Sequence, residues 1–387
     1  MKLEICMFKP YTMQDVMDAS AQKKFKVIST FAGGGGSSTG YRLAGGDVLC
    51  INEFVEEACN TYRENYPTTH IIPDDIKTLT GKDFLDATGL EVGELDILDG
   101  SPPCSAFSVS GSAFTDKGNH FDGFGKTKTY SDGKIVDNIE DLFFEFLRVA
   151  DEIRPKVIIA ENVKGLTIAE AKKYLNKILN TFEDIDYSVT YEVLDSRYYG
   201  VAQTRARVFF VAVRNDICDK IGINFLNLHS MVYPNKKKEQ LPLGDALVGL
   251  EYDEEERQWL IDQWKETSYY KMTSINMPDD PEKNLDGYDY HPTGKSHFNV
   301  KRSSRFKPAP TQTAMGNQAK TAGAVHFSEQ RKLTIGELKR IMALPDDYKL
   351  TGTWNQKAER IGRMVTPWVL KQIAETVNEN ILEKIDV

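Results

Sequence analysis

No apolar run in the sequence approaches the ~20 residues that cross a bilayer. The first residues also lack the charged start and small-residue cleavage pattern of a secretory leader. Both absences predict a soluble, cytoplasmic protein with no membrane partner. The five cysteines, Cys6, Cys50, Cys59, Cys104 and Cys218, have no paired spacing, which excludes a disulfide framework and fits a reducing compartment. The six histidines, His70, His120, His229, His291, His297 and His326, have no metal-ligand spacing, so no metal is expected. Positive charge is in short supply: 48 Lys and Arg face 57 Asp and Glu, a net charge of −9. A nucleic-acid partner would then require the charge to be segregated. There is no internal repeat and no low-complexity tract.

What is present is enough chain for a large core: 387 residues, 41% of them hydrophobic, which suggests one large α/β domain and a smaller one. After an N-terminal arm of residues 1–22, strand-like and helix-like segments alternate from 23 to 214, the pattern of a doubly wound parallel sheet. Periodicity breaks down over 215–320, where Pro, Gly, Asn and Asp are scattered through short segments. It returns in a helical segment over 321–387.

The most informative stretch is Asp99-Gly100-Ser101-Pro102-Pro103-Cys104, at the end of the apolar run Glu94-Leu95-Asp96-Ile97-Leu98. Two prolines fix the backbone and aim the thiol that follows. Downstream, an amphipathic helix over about 138–153 precedes the strand-like run Lys156-Val157-Ile158-Ile159-Ala160, which leads into Glu161-Asn162-Val163. Right-handed crossovers end parallel strands on one edge, so Cys104 and Glu161 are expected to share a crevice. Gln203-Thr204-Arg205-Ala206-Arg207 sets two arginines one pleat apart before the strand Val208 to Val213. Near the start, Val27-Ile28-Ser29-Thr30-Phe31 runs into Ala32-Gly33-Gly34-Gly35-Gly36 and a helix. Strand, glycine turn and helix start form a nucleotide-type cradle, and the run lacks the Lys of a phosphate-binding loop. About 20 positions on, Glu53 stands where a ribose hydroxyl is bound, with Phe54 beside it for an adenine face. Asp99 either caps its turn or touches the cofactor.

In this order, Phe31-Ala32-Gly33-x-Gly35-Gly36, Glu53, Asp75-Ile76, Pro102-Pro103-Cys104, Glu161-Asn162-Val163 and Gln203-x-Arg205-x-Arg207 resemble the DNA cytosine-5 methyltransferases. So do Arg331-x-Leu333-Thr334-x-x-Glu337-x-x-Arg340 and Ile361-Gly362-Arg363-Met364-Val365, and the likeness runs over about 26–377. The resemblance implies an α/β fold: a Rossmann-like methyltransferase sheet over 23–214, completed by 321–387, with a smaller, irregular target-recognition domain over 215–320. It also implies S-adenosylmethionine as cofactor, held by Phe31, Ala32, Gly33, Gly35, Gly36, Glu53, Phe54, Asp75, Ile76, Pro102, Arg363 and Val365. Cys104 would add to carbon 6 of a cytosine flipped out of double-stranded DNA, and Glu161 would donate a proton at ring nitrogen 3. Arg207 would hold the carbonyl oxygen, Arg205 would support the thiolate, and Asn162 would tether the Cys104 loop or orient Glu161. Arg331, Glu337 and Arg340 read as a structural brace, with His326 near it. A monomer, bacterial or phage-encoded, is expected.

The DNA contacts are expected from Ser108 and Ser110 in the long basic loop after Cys104, and from Lys301, Arg302, Arg305, Thr311 and Thr313. Three departures from the family pattern stand out. Ser105 replaces a glutamine, the loop after Cys104 is longer, and Arg363 replaces an asparagine beside the methyl donor. A fixed positive charge near a sulfonium is repelled unless an anion intervenes. Either the side chain turns to another anion, or it binds a carboxylate on the transferred carbon. The second case makes the donor carboxy-S-adenosylmethionine and the product carboxymethylcytosine. A tRNA-directed member of the same family is a further alternative. A zinc deaminase is excluded by the lack of a second cysteine after Cys104.

Overall fold

Runs of β-branched and aromatic residues become the seven strands of one sheet: β1 (Lys26–Thr30), β2 (Asp47–Asn52), β3 (His70–Ile72), β4 (Ile97–Gly100), β5 (Val157–Val163), β6 (Tyr187–Asp195) and β7 (Ala206–Arg214). Their order is β3-β2-β1-β4-β5-β7-β6. The pairs β1 with β2, β2 with β3, β1 with β4 and β4 with β5 are parallel, and β5 pairs with β7 antiparallel. The expected doubly wound α/β sheet is therefore present. This computed structural model describes residues 9–103, 141–168, 171–290 and 300–385, with the backbone of 128–129 and 135–136. Its contacts divide the chain into two units: Val16–Leu194, Ala206–Asn235 and Leu370–Val387 carry the sheet, while Met1–Asp15, Asp195–Arg205 and Lys236–Val369 form the other.

The central strands are buried on both faces because helices cover both. On one face Ile28, Leu98, Ile158, Ala160 and Phe210 pack into a core with Phe84 of α3 (Gly81–Thr88), Phe143 and Phe146 of α4 (Leu142–Ile153), and Phe182 of α5 (Lys172–Asp184). Gly100 is needed for this packing, since a Cβ there would lie 2.6 Å from the Phe146 ring and 2.9 Å from Thr30 Oγ1. The opposite face carries α1 (Gly36–Leu43), whose Tyr41 hydroxyl reaches the sheet at Asp99, and α2 (Glu56–Asn65), whose Tyr62 hydroxyl donates to Ser38 of α1. Helix α4 is described from Leu142, and residues 138–140, where the sequence pattern starts it, lie outside the described residues. Strand β5 runs on through Glu161-Asn162-Val163, which the apolar pattern had put after the strand. Pairing with Phe209, Val208 and Arg207 of β7 holds these three residues extended.

The second unit has less regular structure. It contains α6 (Glu254–Lys265), α7 (Ser268–Ile275), α8 (Ile335–Ile341), α9 (Trp354–Arg363) and a three-stranded sheet of β8 (Leu285–Asp286), β9 (Lys301–Arg302) and β10 (Ala324–Val325). Trp264, Val300 and Val325 form a small core, and buried ionic contacts do much of the remaining holding. Arg331 grips both oxygens of Glu337 at 2.7 and 2.9 Å, and neither side chain is exposed. Glu337 also accepts the Thr334 N–H in the capping box that starts α8, and lies 3.3 Å from His326 Nε2. Burial alone would push the Glu337 carboxyl up, but the bonds from Arg331 and His326 hold it well below the carboxylate range.

Breaking a buried pair strands the surviving charge. Glu337→Gln is expected to lower unfolding stability by about 3–5 kcal/mol, read from the urea midpoint. The folded-state pKa of Glu337 is depressed, so its contribution is fully present above the ordinary carboxyl value of 4.5 and is lost only as pH falls below it.

Candidate active site

The glycine turn begins where β1 ends. Phe31 takes a left-handed φ of 52°, unusual for a side-chain-bearing residue, followed by Gly33 at 55° and Gly35 at 98°. An added Cβ at Gly33 would meet no atom within 4 Å, so the turn has open space above it. Gly35 is the N-cap of α1 and supplies no side chain to close the first turn. Glu53, at the end of the next strand, accepts the Gly33 N–H at 2.9 Å and, with its other oxygen, the Val55 N–H at 2.8 Å. It thus buttresses the turn from the end of the neighbouring strand. Phe54 lines a hollow of about 280 Å³ with Glu56, Cys59, Arg63 and Pro73. Asp75 caps the short turn Ile76–Thr78 by accepting the Lys77 N–H at 3.0 Å, and Ile76 is buried. Asn52 fastens the preceding loop by donating to the Ile72 and Asp74 carbonyls.

Beyond β4 the chain is tied twice before it reaches the thiol. The Ser101 hydroxyl donates to Phe31 O at 3.2 Å, and Asn162 Nδ2 donates to Pro102 O at 3.1 Å. Cys104, Ser105, Ser108 and Ser110 lie outside the described residues. On β5, Glu161 makes an ion pair with Arg207 of β7, Oε1 to Nε 3.1 Å, with both side chains mostly buried. Ala160 pairs with Gly100, the last residue of β4, so Glu161 stands one step past the end of that strand. Sheet register thus brings together the glycine turn, the stem of the Cys104 loop, Glu161, Asn162 and Arg207 at one edge.

Other expected residues are differently employed. Arg205 belongs to the second unit, where it is buried and donates to the carbonyls of Gln312, Gly362 and Met364. These bonds brace that unit, and the thiolate that Arg205 was expected to support lies outside the described residues. The chain passes into the sheet unit at the next residue, Ala206. Arg302 has no exposed surface: it donates to the carbonyls of Thr273, His326 and Phe327 and pairs with Asp279 at 3.0 Å. This corrects its reading as a DNA contact, since a guanidinium so enclosed cannot reach a phosphate. Lys301 is exposed, and Arg305 is about half exposed, 3.3 Å from Asp280. The Thr311 hydroxyl bonds Thr204 O, and Thr313 accepts the Gly316 N–H. Arg363, in the last turn of α9, lies 2.7 Å from Glu359 one turn back, while Val365 is buried in the same unit. Sequence reasoning missed that Asp99 is buried under the hydroxyls of Ser29 at 2.6 Å and Tyr41 at 3.1 Å. The available signal was a carboxylate inside an apolar strand.

A mostly parallel seven-stranded sheet with a glycine turn after its first strand and an antiparallel strand beside β5 is a Rossmann-like α/β arrangement. Residues 25–379 match the profile of the C-5 cytosine-specific DNA methylases, and the chain belongs to that family. It is similar to the type II methyltransferase M.Eco47II of Escherichia coli, 29% identical over 371 residues covering 94% of this chain and 80% of that protein. It is 30% identical over 362 residues to M.PspPI of Psychrobacter sp., covering 90% and 78% of the two chains. Among solved structures, an E. coli prophage protein crystallised as a candidate DNA modification methyltransferase aligns with a TM-score of 0.66 at 21% identity, covering 93% of this chain and 99% of that one. A Spodoptera frugiperda DNMT2 mutant aligns at 0.60 and 16%, covering 91% and 99%. At those identities the likeness is one of fold.

At Gly35 an L side chain would be forced into left-handed backbone. Gly35→Ala is expected to cost about 1–2 kcal/mol of stability, measured by thermal unfolding, while Gly34→Ala serves as control.

Proposed function

We propose that the protein transfers a methyl group from S-adenosylmethionine to carbon 5 of a cytosine flipped out of double-stranded DNA. The observation that carries this reading is the register of β4, β5 and β7. It sets the Glu161–Arg207 pair beside the stem of the Cys104 loop, on the edge that carries the glycine turn. The cradle suits an adenosyl group: open space above Gly33, the Glu53 carboxylate at the turn, the Phe54 ring beside a hollow, and Asp75 next to buried Ile76. When bound there, S-adenosylmethionine supplies an electrophilic methyl on a sulfonium.

Carbon 5 of cytosine is a weak nucleophile, so the ring is first made electron-rich. The Cys104 thiolate adds to carbon 6, and the displaced electron pair moves toward nitrogen 3, where Glu161 gives up a proton. Arg207 holds the carbonyl oxygen of the base, and Asn162 fixes Pro102, two residues before Cys104. After transfer the proton on carbon 5 is removed and the bond to Cys104 breaks, restoring the thiolate. The target cytosine leaves the stack to reach these groups. Ser108 and Ser110 are the candidates to touch the DNA it vacates, the exposed Lys301 and Arg305 to meet phosphates, and 215–320 to read the sequence.

Glu359 supplies the anion that Arg363 requires, which supports the ordinary methyl donor over a carboxylated one. Purified protein given S-adenosylmethionine and its carboxy analogue together, with duplex DNA and tRNA as competing acceptors, is expected to yield 5-methylcytosine in DNA by mass spectrometry. Carboxymethylcytosine, or label in tRNA, overturns the assignment of donor or acceptor. Cys104→Ser is expected to reduce single-turnover transfer by at least about a thousandfold.

A further inference from the structure

The second unit buries an ammonium with no carboxylate to meet it. Lys332, the chain neighbour of Arg331, is only 2% exposed. Its Nζ donates to the carbonyls of Gly316 and Thr321 at 2.5 and 3.4 Å, and lies 5.7 Å from the centre of the Trp264 ring of α6. A lysine is almost never enclosed without an ion-pair partner, because a desolvated charge is costly. The charges beside it in the chain and in the loop it grips are spent elsewhere: Arg331 on Glu329 and Glu337, and Lys320 on Glu266. Among the described residues, Lys332 serves two backbone carbonyls and an indole ring.

Both carbonyls belong to one loop, residues 313–323, and stand on its two legs. The legs touch: Gly323 has a φ of 132°, and a Cβ there would lie 2.5 Å from Gly316 O. Met315, adjacent to Gly316, is 63% exposed. Its carbonyl accepts the Thr321 hydroxyl, and the Gly316 N–H donates to the Thr313 hydroxyl at 3.0 Å. Further along, the Asn317 side chain and the Ala319 N–H donate to Ala358 and Asn355 of α9. Lys332 thus reaches Met315 by two routes, through the next residue, Gly316, and through Thr321.

We propose that Lys332 is a positioning residue for DNA recognition, a clasp across the 313–323 loop that presents Met315 to the duplex in one orientation. The proposal deepens the reading in which residues 215–320 read the sequence, and rests on it. A hydrogen bond from an ammonium is stronger than a neutral one, and enclosure strengthens it further. Without it, Gly316 and Thr321 lose the side chain that bridges them.

Burial holds the Lys332 amine down at about 7. Near neutral pH the protein without DNA thus carries this proton in only part of the population. Phosphates brought to the loop favour the charged form. Binding then draws a proton onto Lys332, and by linkage the affinity for DNA falls as pH rises above about 7.

Methylation of long, unmodified duplex DNA supplies the test, with KM, kcat and the sequence contexts of the methylated cytosines read at base resolution. Lys332→Met, which keeps the length of the side chain and removes its charge, is expected to raise KM for DNA about tenfold, to leave kcat within about twofold and to widen the set of contexts. Wild-type KM is expected to climb from about pH 7 to about pH 9 while that of the variant stays level, a difference that a packing role for Lys332 would not produce. A folded variant with wild-type KM, contexts and pH response overturns the clasp. Should Lys332→Met fail to unfold cooperatively on heating, Thr321→Val decides, since it cuts the link to Met315 and leaves Lys332 in place. A smaller rise in KM with widened contexts is expected there, and wild-type values overturn the proposal. Wild-type protein that modifies tRNA and leaves duplex DNA untouched defeats the DNA reading itself, whatever Lys332 does.

Discussion

The site depends on where parallel strands stop. β1, β4 and β5 are hydrogen-bonded side by side in one direction, so their ends project from a single edge, and register fixes which residue comes last on each. Apolar burial on the aromatic face favours that register, because a one-residue slip would turn Ile28, Leu98 and Ile158 out of the aromatic core and bring Ser29 and Asp99 into it. The glycine turn, the Pro102 carbonyl and the Glu161 carboxylate are neighbours because the sheet cannot be assembled in another alignment.

Within that frame, polar contacts convert strand ends into a working surface. Ser101 ties residues 101–103 to the Phe31 carbonyl, and Asn162 ties them to β5, so the chain leaving β4 is fastened from both flanking strands. Glu53 takes the Gly33 amide with one oxygen and the Val55 amide with the other, linking the ends of β1 and β2. These are single hydrogen bonds, each contributing about 1 kcal/mol net, and their value lies in orientation more than in stability.

Much of this was legible in the sequence, for a physical reason. Buried parallel strands must be apolar runs and cradle turns must be glycine-rich, so Val27 to Phe31, Asp47 to Asn52 and Gly33 to Gly36 announce themselves. The side-by-side placement of the Cys104 stem and Glu161 followed from crossover handedness alone. What did not show were long-range destinations of charged side chains. Arg205 and Arg207 are two residues apart, yet one grips carbonyls contributed by Gln312, Gly362 and Met364 and the other faces Glu161. Arg302 sits in a basic stretch that reads as surface and is enclosed by carbonyls from Thr273, His326 and Phe327. Charge pattern reports the number of cations and says nothing of which are spent on the protein's own backbone. Asp99 was visible as a carboxylate at a strand end, but the hydroxyls that bury it come from β1 and α1.

The interleaving of the two units along the chain constrains the order in which the protein can fold. The sheet unit recruits Leu370–Val387 only after the whole of Lys236–Val369 has been traversed, and the second unit reaches back to Asp195–Arg205 between two strands of the sheet. Each unit thus closes long loops through the other, an entropic expense met before the native contacts that reward it can form. Neither can be excised as a continuous fragment. A lesion in one is therefore expressed as delayed maturation of both, so that loss of activity by itself does not locate the damage.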